Sequence, residues 1–129
     1  MVDTSALFAV VSAEDGYHAR ATAMFEALVN AGDGLHLTSY VFMEASALIH
    51  RRLGFEKLKT LVSILEPAVE WYWIDELVHR EAWDSFVRRN GSGLSLVDWT
   101  TALVARQLSA PVFTFDRGFE REGLLTIAR

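Results

Sequence analysis

The sequence predicts an α/β fold with a mostly parallel central sheet. Three observations carry this. Short, mostly apolar runs recur at 35–38, 69–74, 112–115 and 124–128, the second enriched in β-branched and aromatic residues. Longer segments with helical spacing of apolar residues stand between them. Strands that alternate with helices are the pattern of a parallel sheet, whose strands need crossover connections. The chain has 129 residues, 51% of them hydrophobic, which suits one domain spanning 1–129 with an ordinary core.

Each element has a local reason. Val2 ends a short buried strand that stops at Asp3. Residues 18–30 carry Ala19, Ala23, Met24, Ala27 and Leu28 at helical spacing, and Gly32 and Gly34 break the run. Residues 35–38 form a short apolar strand, after which Ser39 caps a helix over 40–53. Arg51 and Arg52 followed by Gly54 are a helix stop signal. A further amphipathic helix covers 55–66 and ends at Pro67. Trp71, Tyr72 and Trp73 mark 69–74 as a strand, whose alternating positions divide between core and a partner surface. Asp75 caps a helix reaching about Arg89, and Asn90-Gly91-Ser92-Gly93 is a loop. Ser95 opens a helix to about Leu108, with Asp98 placed for a capping box. Residues 112–115 read as a buried strand ending at Asp116, and 124–128 as a last short one.

Composition removes several function classes. There are no cysteines, so disulfides, thiolate catalysis and zinc–cysteine sites are excluded, and a reducing cytoplasm is the expected location. No stretch of ~20 apolar residues predicts a membrane helix. The four histidines show no paired spacing for zinc. The net charge of −5 argues against a uniformly basic nucleic-acid-binding surface. It leaves room for a nuclease, because a bound divalent cation reverses the local sign.

Four acids are candidates for chemistry. Asp3 and Asp116 each follow a strand, where parallel α/β sheets place ligands. Singly, each is also an ordinary turn residue. Glu44 has Tyr40, Val41, Ala47 and Leu48 as helical neighbours, so its charge needs a partner unless the helix boundary is shifted. Asp98 is explained by the capping box and the helix dipole. Together the four suggest a site for Mg²⁺ or Mn²⁺: converging carboxylates repel, and a hard cation relieves the repulsion.

At these positions the chain resembles the PIN-domain family, and in particular its VapC-type toxins. The pieces are Val2-Asp3-Thr4-Ser5-Ala6-Leu7, Val41-Phe42-Met43-Glu44-Ala45, Leu94-Ser95-Leu96-Val97-Asp98 and Thr114-Phe115-Asp116-Arg117-Gly118-Phe119. The resemblance covers essentially the whole chain. It implies a PIN-like fold, a central short parallel sheet flanked by helices in three α/β/α layers. It also implies an Mg²⁺- or Mn²⁺-dependent endoribonuclease in which Asp3, Glu44, Asp98 and Asp116 hold the metal. Ser5 and Thr114 match polar positions that orient the ligands or the water. The expected partners are RNA, a second copy of the chain and a cognate VapB-like antitoxin. Among the arginines, Arg117 adjoins an acid and is the candidate phosphate contact. Two departures stand out. Relatives often carry an acid or histidine where this chain has Gly118, and a small residue where it has Trp99.

The alternative is a non-catalytic PIN-like module that binds RNA or protein. A phosphatase with Asp3 as covalent nucleophile would want an acid at Ser5, and a receiver domain would want a late lysine. The last lysine is Lys59.

Overall fold

The computed structural model describes residues 1–127. In chain order the elements are α1 (Thr4–Val11), α2 (His18–Ala31), β1 (Leu35–Thr38), α3 (Ser39–Leu53), α4 (Phe55–Leu65), β2 (Val69–Tyr72), α5 (Glu76–Arg88), α6 (Leu96–Leu108), β3 (Val112–Phe113), α7 (Gly118–Arg121) and β4 (Thr126–Ile127). Ala128, part of the last expected strand, lies outside the described residues.

The strands pair in parallel, β1 with β2 and β3 with β4. Val2 joins the two pairs. It bridges Phe113 in parallel, and its N–H donates to the His36 carbonyl at 2.9 Å. The order across the molecule is therefore β2, β1, Val2, β3, β4. Because Val2 pairs parallel to β3 and β3 to β4, the carboxyl ends of Val2, β3 and β4 open on the same edge.

Alternation along these short strands builds the layers. Val2 and Phe113 face one core, formed with Leu7, Leu37, Val41, Ile49 and Leu61. Met1 and Val112 face the other, formed with Leu94, Trp99, Val104 and Phe119. Helices α1 to α4 cover the first face, and α5 and α6 cover the second. This is the expected three-layer arrangement, with helices predominating over very short strands.

Four local differences from expectation have physical reasons. Helix α1 shows no amphipathic pattern because Ala6, Leu7, Ala9, Val10 and Val11 are all buried, leaving no polar stripe to mark a period. Thr38 rather than Ser39 caps α3: Thr38 Oγ1 accepts from Val41 N at 3.1 Å. The Ser39 hydroxyl instead accepts from Ile74 N at 3.0 Å, tying α3 to the end of β2. Strand β3 stops at Phe113: Thr114 N still reaches the Ile127 carbonyl at 3.4 Å, but the two amides after it turn to side-chain acceptors, Phe115 N to Ser5 Oγ and Asp116 N to Thr114 Oγ1. At four residues, α7 is too short to show a period. The expected helix stops hold, whereas β2 ends at Tyr72 rather than Ile74 and β4 begins at Thr126 rather than Leu124. Gly54 closes α3 at a φ of 90°, a conformation that strains any residue with a Cβ.

Candidate active site

Asp3 sits at the junction of the central strand position and α1. It is the N-cap of α1 and is only 2% exposed. Its Oδ2 is crowded with donors: Ser5 Oγ at 2.8 Å, Thr114 Oγ1 at 2.8 Å and Ser5 N at 3.4 Å. Its Oδ1 is buried and has no hydrogen-bond partner. One oxygen thus anchors the carboxylate and the other is left free to ligate. Such an orphaned buried oxygen carries a large desolvation cost, which a cation would offset.

Ser5 and Thr114 form a relay between this carboxylate and the turn that carries Asp116. Each donates its hydroxyl proton to Asp3 Oδ2. Each then accepts a backbone amide, Ser5 from Phe115 at 3.0 Å and Thr114 from Asp116 at 2.9 Å. The two hydroxyl oxygens lie 3.1 Å apart. Both residues thus hydrogen-bond the Asp3 carboxylate.

Asp116 is exposed, and its Oδ1 accepts from Gly118 N at 2.7 Å. That bond requires the chain to fold back closely at residue 118. A Cβ there would lie 2.8 Å from Leu94 Cδ2 and 3.1 Å from Asp116 Oδ1. Leu94 is buried at 1%, so its side chain would have to shift within the second core. A side chain at 118 would therefore crowd Leu94 and the Asp116 carboxylate. Gly118→Ala is expected to lower stability by about 1–3 kcal/mol, read by urea denaturation.

Glu44 lies well inside α3, flanked by buried Val41 and Ala45, so the boundary is not misplaced. Its charge is met by Thr4, whose Oγ1 donates to Glu44 Oε2 at 2.6 Å. Sequence reasoning missed Thr4. The signal was its position between Asp3 and Ser5, but the partner is 40 residues away.

Asp98 stands in the first turn of α6, where the expected capping box forms. Ser95 N donates to Asp98 Oδ2 at 2.8 Å and Asp98 N to Ser95 Oγ at 3.1 Å. Asp98 also feels the charges of Asp3 and Glu44, which places it in their company. Burial first, then the Asp3 charge, pushes its carboxyl up to about 6, with Glu44 adding and the Ser95 bonds opposing. Burial likewise raises Asp3, against the hydrogen bonds from Thr114, Ser5 and the Thr4 amide.

The remaining expectations are also placed. Trp99 is 4% exposed inside the second core, so its bulk packs rather than lining the acidic edge. Arg51 and Arg52 are exposed at the end of α3. Arg117 is exposed beside Asp116. Among the described residues, no three acidic or histidine side chains converge tightly enough to enclose an ion unaided. The donor set nevertheless suits Mg²⁺ or Mn²⁺, which take hard oxygens and, for Mg²⁺, one or two carboxylates with several waters.

Residues 1–123 match the profile of the PIN domain. Among solved structures, the chain is similar to Mycobacterium tuberculosis VapC20, a sarcin-ricin loop cleaving toxin. The identity is 24%, the match covers 98% of this chain and 96% of that one, and the TM-score is 0.87. No curated protein matches the chain.

Proposed function

The chain belongs to the PIN-domain family, and from that premise we propose that it is a divalent-metal-dependent endoribonuclease, the toxin of a VapBC-type pair. The observation that carries this reading is Asp3 Oδ1, a buried oxygen without a partner at the carboxyl edge of a parallel sheet. Asp98 and Glu44 add charge beside it.

In this reading Asp3 and Asp98 hold Mg²⁺ or Mn²⁺, Asp116 stands close by, and Glu44 positions the attacking water. A cation bound there activates water and offsets the charge of an in-line phosphoryl displacement. The rest falls to the chain. Ser5 and Thr114 fix the Asp3 carboxylate so that its free oxygen faces the site. Thr4 holds Glu44 in one orientation. Arg117 contacts a substrate phosphate from the turn after β3. Attack by water on the phosphodiester breaks the P–O3′ bond and leaves a 5′-phosphate and a 3′-hydroxyl.

Two partners follow. A VapB-like antitoxin would neutralise the nuclease by covering the acidic edge. A second copy would cover the apolar surface of Trp71 and Trp73, which are 40% and 72% exposed. Trp71 stacks on Trp73 at 5.7 Å and meets Phe42 edge-on, so this surface is a preorganised aromatic patch. Trp73→Glu is expected to shift the protein from dimer to monomer in light scattering. An unchanged mass would remove this patch from the interface. No helix among the described residues is long and apolar enough to cross a membrane.

The test is incubation of purified protein with total RNA and with a sarcin-ricin loop hairpin, the element named for VapC20. Mg²⁺, Mn²⁺ and EDTA are compared. Discrete cuts with 5′-phosphate ends that EDTA abolishes support the nuclease. Tight RNA or protein binding with no metal-dependent cut identifies the binding module instead.

A further inference from the structure

Beside the acids lies a cavity of about 520 Å³ lined by Tyr40, Met43, Glu44 and Val97. We propose that this slot receives a nucleobase of the RNA substrate, with Tyr40 as its stacking platform. The inference rests on the ribonuclease reading and adds to it the part of the substrate that is gripped.

Its walls are mostly apolar, and among the described residues its lining includes no cation. A phosphate has nothing to bind there and would be repelled by Glu44. A flat, weakly polar ring is the part of a nucleotide that fits. Position supports this. Tyr40 and Glu44 are one turn apart on α3, and Val97 immediately precedes Asp98 on α6. Glu44 therefore belongs to both the slot and the acid cluster, so a phosphodiester held at the acids delivers its neighbouring base to this wall.

The platform is fixed from behind. Tyr40 OH lies 2.8 Å from His79 Nδ1, and the two rings meet edge to face at 6.0 Å and 69°. Its hydroxyl is thus engaged by α5 while Tyr40 also lines the slot. Met43, exposed at the rim, supplies a soft thioether edge.

The test is a titration of protein carrying ¹³C-methyl methionine with adenosine, inosine, cytidine and uridine, and with ribose as control. Nucleosides carry no phosphate, so binding at the acids does not contribute. Of the three methionines, only Met43 lines the slot, and Met1 and Met24 serve as internal references. The expected result is a saturable shift of the Met43 methyl with at least one nucleoside and none with ribose. Tyr40→Ala weakens it about tenfold or more, and Tyr40→Phe keeps it within about threefold, because the ring face does the binding. An unmoved Met43, or one that follows ribose equally, overturns the proposal. So does a Met43 signal that responds only to protein dilution, which would make the slot a contact between copies. EDTA-sensitive cleavage of RNA, measured separately, would survive any of these failures. Its own failure would leave nucleoside binding intact.

Discussion

Asp3→Asn is expected to abolish RNA cleavage, by about a thousandfold or more, without unfolding the protein. One ligand oxygen and one charge at a metal-assisted phosphoryl displacement are worth several kcal/mol, and each 1.36 kcal/mol is a factor of ten. The fold survives because asparagine keeps the shape and still accepts from Ser5 and Thr114 at the Oδ2 position. It also removes a buried charge that burial already disfavours. The metal-free thermal midpoint of the variant should therefore match or exceed that of the wild type. The supporting hydroxyls are graded below this. Ser5→Ala and Thr114→Val each leave Asp3 with one hydroxyl fewer, and are expected to cost about 10–100-fold, as for groups that orient a metal ligand. Initial rates on a cleaved RNA in Mn²⁺ test the series. Full activity in Asp3→Asn would mean that the cutting is done elsewhere.

Much of this arrangement was legible because strand ends and helix caps are local. Val112 and Phe113 announce a buried strand, and Asp116 follows it by chain chemistry alone. Ser95 and Asp98 spell out a capping box that the structure contains. What local reasoning could not decide was whether Asp98 did anything more. That depends on α6 lying against the edge from which Asp3 projects, a fact of topology. Uniformly buried segments were illegible for the opposite reason. Helix α1 hides its period because every face of its apolar run is covered. The bonds from Thr4 to Glu44 and from Tyr40 to His79 join residues 40 and 39 positions apart, so no spacing rule marks them. Strand β3 was read two residues too long because Thr114 and Phe115 are good strand formers. Tertiary hydrogen bonds to Ser5 and within the Asp116 turn outweigh that preference.

Asp98 is expected to withdraw stability from the metal-free protein as pH rises from about 4 to about 6, below the range in which the Met1 amino group, lowered to about 6 by burial, contributes the opposite slope, and a divalent cation should reverse this. The Asp98 carboxyl titrates at about 6 when folded, against an ordinary 3.8. A raised acid pKa means that the folded state keeps a proton the unfolded chain has released. The stabilisation is complete below about pH 4 and is lost as pH climbs through about 6. At 1.36 kcal/mol per pKa unit, the difference amounts to about 3 kcal/mol, or on the order of 10 °C in thermal midpoint. Asp3 is displaced in the same direction and adds to the slope. Asp98→Asn should remove its share: without metal and above pH ~6 it is more stable than the wild type, and the gap closes toward pH ~4. Mn²⁺ acts oppositely, since it binds the ionised carboxylates and so stabilises only where they are ionised. Its effect on the wild-type midpoint should be large above pH ~7, absent near pH ~4, and much reduced in Asp98→Asn. Thermal scans of both proteins across this range, with Mn²⁺ and with EDTA, decide it. An Mn²⁺ shift that ignores pH, or that is equal in the two proteins, would separate the metal from these carboxylates. If instead the shift tracks their ionisation, the strain of holding Asp3 and Asp98 together without a cation is what makes the site ready to bind one.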